Sequence, residues 1–288
     1  MMRELKVFQE DRVVSATDFT MNVSLDFFNE RLKIEDYRGN VESIHKQIVR
    51  LLEDHPFTKV IVKSRQEDWK HFLTLGYQFE AIFTGFFNGN DAYSMAMFTE
   101  NARRTSEYWV YEDETLQQVK ELSRSLDVPA DPSYTIRKAE ASDAAALADL
   151  YQAVFEIYPT PMNDPDYIHK LINHHSIFYV AVYEGKIVSA ASADIHSTYN
   201  NAELTDCATL PEHRKKGLMK MLIAKLEHEL KEQQIYCAYS IARALSFGMN
   251  AVFHQRYYEY KGRFTNNCNI YNKLEDMNLW VCDLSRRK

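Results

Sequence analysis

Val41, Ile44, Ile48, Leu51 and Leu52 recur at helical spacing, which predicts an amphipathic helix over residues 41–52. The apolar run at 59–63 reads as a strand, and residues 68–75 as a short helix stopped by Gly76. Residues 79–87 and 93–98 read as two strands joined through a hairpin-like turn at Asn88, Gly89, Asn90 and Asp91. A polar helix follows, from about residue 106 or 113 to 125, and then Pro129 and Pro132 break the pattern. Residues 128–133 are therefore predicted to be a linker between domains at 1–130 and 131–288.

The second part restarts with a strand at 134–137. Ser142 and Asp143 are placed to cap an Ala-rich helix reaching about residue 157. A Pro-rich loop at 158–165 leads to a helix near 166–173. Strands at 177–183 and 186–194 pair across Glu184 and Gly185, and another strand runs over 202–210. Leu218, Leu222, Leu226 and Leu230 line one face of a long helix. A strand at 235–241, a short helix at about 245–255 and closing strands complete the chain. A partial repeat is visible: 59–98 and 235–284 share the order strand, short helix, two strands, with Arg256-Tyr257 set against Gly76-Tyr77.

Composition narrows the function classes. The 288 residues are 45% hydrophobic and 26% charged, with a net charge of −7. That balance speaks against nucleic acid as a partner and suits a cationic small substrate. No run of about 20 apolar residues and no signal-like N-terminus is present. Cys207, Cys237, Cys268 and Cys282 are scattered without a CxxC pair, so no metal site and a reducing, cytoplasmic setting are expected.

The stretch from Asn201 to Met219 carries the chemistry: a strand, a Pro turn, Arg214-x-x-Gly217, then the leucine-striped helix. The first turn of a helix has amides without partners and a positive dipole end, which suits a pyrophosphate. Gly217 allows close approach to the backbone, and Arg214, Lys215 and Lys216 supply charge. Alone, Arg-x-x-Gly reads more readily as a helix start with a solvated basic turn.

In its element order and spacing, the region 134–284 resembles the GNAT superfamily of acetyltransferases. The motifs Tyr158-Pro-Thr-Pro, Asn201-Ala-Glu-Leu-Thr-Asp206, Ala208-Thr-Leu-Pro-Glu-His-Arg214, Ser240-Ile-Ala-Arg-Ala244, Gly248-Met-Asn250, Asn266-Asn267 and Glu275-Asp-Met-Asn-Leu-Trp280 resemble the narrower β-lysine N-acetyltransferase family. Tyr37-Arg-Gly-Asn40, Lys59-Val-Ile-Val-Lys63 and Phe86-Phe-Asn-Gly89 do so in the first part. The resemblance implies an α+β fold: a C-terminal GNAT domain with a mixed, splayed sheet flanked by helices, and a smaller N-terminal α/β domain. The latter is compatible with a degenerate GNAT-like half, a homodimer surface or a lid. It implies acetyl-CoA as cosubstrate, held by Ala208, Thr209, Leu210, Arg214, Lys215, Lys216, Gly217, Leu218 and Met219. It also implies acetylation of the distal amine of β-lysine, and a link to a lysine 2,3-aminomutase that makes it. Met219 and Lys215 depart from the superfamily pattern, where Gly or Ala is common.

A protonated amine must lose a proton before attack, so a carboxylate is needed nearby. Glu203 is the expected base, with Asp206 second or as a ligand of the substrate ammonium; on a regular strand the two face opposite sides unless a bulge intervenes. Amides around 207–210 are expected to stabilise the thioester oxygen. The superfamily's Tyr acid position falls at Val252, leaving Tyr239, Tyr257 or Tyr258 as substitutes. Arg243 is the expected carboxylate anchor, with Tyr158, Asp164, Asn250 and Asn267 as further substrate contacts; structural ion pairs or loop ties are the alternative for each. Rival readings are acetylation of lysine or a polyamine, and a non-catalytic acyl-CoA sensor.

Overall fold

β1 (Gln9–Ser15), β2 (Phe19–Asp26) and β3 (Arg31–Gly39) form an antiparallel meander ahead of the first predicted helix. Helix α1 (Val41–Asp54) buries Val41, Ile44, Ile48 and Leu51, as their spacing predicts, and returns the chain to β4 (Lys59–Ser64), parallel to β3. Each such burial contributes roughly 1.5–3 kcal/mol, which holds the helix on the sheet. Then come α2 (Trp69–Thr74), the hairpin β5 (Gln78–Phe87) and β6 (Asn90–Phe98), and the helices α3 (Asn101–Arg104) and α4 (Trp109–Lys120). This computed structural model describes residues 8–127, 131–174, 176–270 and 273–287, so positions 128–130 of the expected linker lie outside it.

The second half opens with β7 (Thr135–Lys138), α5 (Ala144–Val154) and α6 (Pro165–His174). β8 (Ser176–Tyr183) and β9 (Lys186–His196) turn through Glu184 and Gly185, both at positive φ as a tight hairpin requires. β10 (Asn201–Thr209), α7 (Leu218–Glu232), β11 (Cys237–Arg243), α8 (Phe247–Gln255), β12 (Glu259–Ile270) and β13 (Lys273–Asp283) follow. All strands of the described residues join one 13-stranded sheet, ordered β1-β2-β3-β4-β6-β5-β12-β13-β11-β10-β9-β8-β7.

That order reads as a repeat. β5-β6-β4-β3-β2-β1 matches β12-β13-β11-β10-β9-β8, with α1 in the place of α7 and α2 in that of α8. The registers agree in detail. β5 breaks register against β6 between Phe79 and Ala81 and between Phe83 and Phe87; β12 does so against β13 between Tyr260 and Gly262 and between Phe264 and Cys268. The Tyr77 amide bonds the Phe72 carbonyl as the Tyr258 amide bonds that of Phe253, and Gly76 and Tyr257 share a left-handed φ. Tyr257-Tyr258, one residue beyond the pair read from sequence, therefore matches Gly76-Tyr77.

The halves meet where β5 pairs with β12 at Ala81 and Gly262. A Cβ on Gly262 would lie 2.2 Å from the Glu80 carbonyl oxygen, so only glycine allows this approach. A shared apolar cluster joins Phe83, Phe86 and Phe87 of the first half to Tyr239, Phe264 and Leu279 of the second. Asn201 Nδ2 donates to the Phe86 carbonyl at 2.8 Å, and Tyr199 donates to Asp36, so the curled sheet also closes on itself away from that seam.

Candidate active site

β10 and β11 pair in parallel only over Asn201–Cys237, Ala202–Ala238 and Glu203–Tyr239, and then diverge. On its other side β10 slips register against β9 between Thr205 and Ala208, with Asp206 at a φ of 48°. The bulge changes the side-chain phase. Glu203 and Asp206, which a regular strand would turn to opposite faces, consequently line one cavity.

That cavity, of about 1010 Å³, lies between the two halves. Asp206 accepts from Ser192 Oγ at 2.7 Å and from Tyr158 Oη at 3.2 Å, while Tyr151 Oη donates to its backbone carbonyl at 2.7 Å. Asp194, the cross-strand partner of Glu203, also lines the cavity and accepts from Ser176 Oγ at 2.5 Å. Burial and the neighbouring Asp194 push the Asp206 carboxyl up to about 7, against the hydrogen bonds from Ser192 and Tyr158. Burial, then Asp194, push Glu203 up to about 7 as well, with Lys63 opposing. Carboxyls balanced at neutrality suit proton transfer, and a clustered negative site attracts an ammonium. Burial pushes the Cys207 thiol up, which removes it as a nucleophile.

Behind the gap, α7 begins without a side-chain cap, its N-cap Gly217 at a φ of 75°. The Met221 amide bonds the Gly217 carbonyl, so the amides of Leu218, Met219 and Lys220 have no partner within the helix. Lys215 also adopts a left-handed φ of 63°, the geometry that explains why glycine is favoured there. Arg214, Lys215 and Lys216 are exposed, and Arg214 Nε is held by the Thr209 carbonyl at 3.1 Å. Open amides, cationic side chains and a gap leading to the cavity fit a coenzyme A pyrophosphate and thioester. In the equivalent turn of the first half, Asn40 Oδ1 accepts from the Ser43 amide at 3.0 Å and Glu42 adds negative charge. That helix start is closed to a phosphate.

Among the other residues expected to hold the cosubstrate, Leu218 and Met219 bury their side chains in the core and can offer only amides; Met219 thus keeps its bulk away from the turn. The Leu210 amide is taken by the Val188 carbonyl, and antiparallel alternation then turns Ala208 toward β9 and the Thr209 amide toward the gap. The amides of Ala208 and Leu210 therefore face β9 rather than the gap.

The expected acceptor contacts divide. Tyr158 and Asn267 line the cavity. Arg243 instead pairs with the buried Glu275 at 2.8 Å, and Asp164 holds the start of α6 through the Asp166 amide at 2.9 Å. Asn250 is a structural hub, donating to the Arg243 and Ser246 carbonyls and accepting from Asn278 and Trp280. Arg243 and Asn250 tie the fold together, because buried polar groups must find partners, whereas Asp164 is an exposed helix-start residue. Val252 is packed in the core, Tyr257 lies on the surface and Tyr258 is fully buried in the core, whereas Tyr239 lines the cavity.

Sequence reasoning missed Asp194 and the first-half residues Lys33, Glu35 and Lys63, all of which line the same cavity. Asp194 carried a signal, an acid ending a run of small residues from Val188 to Ala193. The alternation of Lys33 and Glu35 with Leu32 and Ile34 reads only as an amphipathic strand.

An anion-binding turn opening onto a proton acceptor is what acyl transfer from a nucleotide thioester to an amine requires, and residues 144–255 match the acetyltransferase (GNAT) family. This is an acetyl-CoA-dependent N-acetyltransferase with a GNAT fold. The N-acetyltransferase YodP of Bacillus subtilis is 36% identical over 271 residues, covering 94% of this chain and 98% of that protein. Beta-lysine N(6)-acetyltransferases of Methanosarcina mazei and Methanococcus maripaludis are 35% and 30% identical, over 85% and 94% of this chain and 98% of each relative. The chain belongs to the β-lysine N-acetyltransferase family. Among the described residues no helix is long and apolar enough to cross a membrane.

Proposed function

We propose that the protein acetylates the distal amine of β-lysine by direct attack on the thioester. The observation that carries this reading is the convergence of Glu203 and Asp206, both titrating near neutrality, on a cavity beside the splayed strands. The relatives named for β-lysine supply the acceptor. The incoming ammonium docks against Asp206 and Asp194, and Glu203 takes its proton directly or through water. Glu203 suits the base because its carboxyl faces the cavity and burial raises it to about 7. The freed lone pair forms the N–C bond to the acetyl carbon, the C–S bond breaks and the thiolate leaves, and the nitrogen's surplus proton passes to the thiolate or to water. The Thr209 amide faces the carbonyl oxygen as charge builds on it. A thiol with a reference pKa of about 8.5 departs without an obligatory acid.

The substrate would come from an aminomutase acting on lysine. The test is a panel of β-lysine, lysine and polyamines with acetyl-CoA, read by steady-state rates and by the position of the acetyl group in the product. The highest kcat/KM for β-lysine, acetylated at the distal nitrogen, is expected. A polyamine preferred over both amino acids would overturn the assignment.

A further inference from the structure

The first half has lost its phosphate turn, yet one face of its sheet forms a wall of the acceptor cavity. Leu32, Ile34 and Val62 pack into the first half's own core, so Lys33 and Lys63 project from the opposite face, toward the cavity. Lys63 donates to Glu35, and Lys33 Nζ lies 3.4 Å from the same carboxylate. Glu35 thus holds Lys63 by a hydrogen bond and Lys33 only at 3.4 Å, so the Lys33 ammonium is the less tightly engaged of the two. Arg31 is not a substitute, because Asp26 holds it at 2.5 Å.

The repeat sharpens the placement. Glu203 pairs with Tyr239 and Asp194, and Lys33 pairs in the same way with Ile61 and Ser24. Lys33 is thus the first-half counterpart of Glu203. Where one half presents a carboxylate to the cavity, the other presents an ammonium. Lys33 and Lys63 line the same cavity as Glu203, and their charge opposes the rise of its carboxyl.

We propose that the first half binds the amino-acid end of the acceptor: Lys33, supported by Lys63, takes the substrate carboxylate, and Glu35 meets the ammonium beside it. This rests on the reading of the acceptor as a diamino acid. A chain with a cation at one end, and a cation and an anion at the other, then matches the wall charges in order. The distal ammonium faces Asp206, Asp194 and Glu203, while the paired charges face Glu35 and Lys33. Specificity for an amino acid would reside in the half without catalytic groups.

Putrescine is β-lysine without its carboxymethyl arm, so the ratio of kcat/KM for the two isolates recognition of the carboxylate. In Lys33→Gln this ratio should fall roughly 10- to 100-fold, mainly through KM for β-lysine, as expected for losing a charged hydrogen bond. Lys33→Arg should recover part of it. A ratio within about twofold of the parent in Lys33→Gln would overturn the proposal. A parent enzyme that does not acetylate β-lysine sinks the acceptor assignment instead; the ratio for lysine over cadaverine, which differ by the carboxylate, then tests Lys33 independently.

Discussion

Replacing Glu203 with glutamine removes a carboxylate from the cavity while preserving its shape, and the effect can be worked out for folding as well as turnover. Burial and Asp194 raise this carboxyl from 4.5 to about 7. Between those values the folded protein keeps a proton that the unfolded chain has released. Stability is therefore greatest below the unfolded value and falls as pH rises through the folded one. At about 1.36 kcal/mol per pH unit, the raised Glu203 carboxyl costs about 3 kcal/mol near pH 8 and roughly 1 kcal/mol near pH 5. These are ceilings, since Asp206 is raised by the same Asp194 and interacting groups share the penalty. Glu203→Gln should gain about 1–3 kcal/mol in urea unfolding near pH 8, shrinking to about 1 kcal/mol or less near pH 5. Its kcat/KM for the amine should drop roughly 100- to 10,000-fold and its pH–rate profile flatten near neutrality, with acetyl-CoA affinity within about twofold of the parent. Unchanged stability at both pH values would refute the electrostatic reasoning, and a parental pH–rate profile would end the role of Glu203 as base.

Gly217→Glu places a carboxylate at the anion-binding turn and should weaken acetyl-CoA at least about tenfold by calorimetry. Gly217→Asn, which tolerates the φ of 75° and adds no charge, should retain most of the affinity; equal loss in both would point to backbone strain instead. Gly262→Ala forces a Cβ to within 2.2 Å of the Glu80 oxygen at the seam between the halves. It should cost roughly 3 kcal/mol or more and reduce acceptor turnover, and an unchanged unfolding midpoint would show that the seam yields easily.

Much of the fold was legible because hydrophobic period reports local structure directly. The stripe Val41, Ile44, Ile48, Leu51 gave α1, and the leucine stripe from Leu218 to Leu230 gave α7. The three strands before residue 40 were not read individually, although Phe19, Met21, Val23 and Leu25 alternate with polar residues along β2, a legible period of two. Within the site, the Arg214 to Gly217 turn and Glu203 were visible because a helix start and a carboxylate have meaning in sequence alone. Arg243 and Asn250 were assigned to substrate because sequence does not tell whether a polar side chain meets a ligand or a buried partner such as Glu275 or Trp280.

The amino-acid order by itself determined the elements, the uncapped start of α7 and the residue types able to hold phosphate and move a proton. Those are properties of neighbours along the chain. Only the tertiary structure decided that Glu203 and Asp206 share a face, through a bulge with no local signature, and that Lys33 and Glu35 stand across a cavity from them. Lys33 and Glu203 lie far apart in sequence, and what brings them together is the curl of a single sheet about the close contact of Gly262 with Ala81.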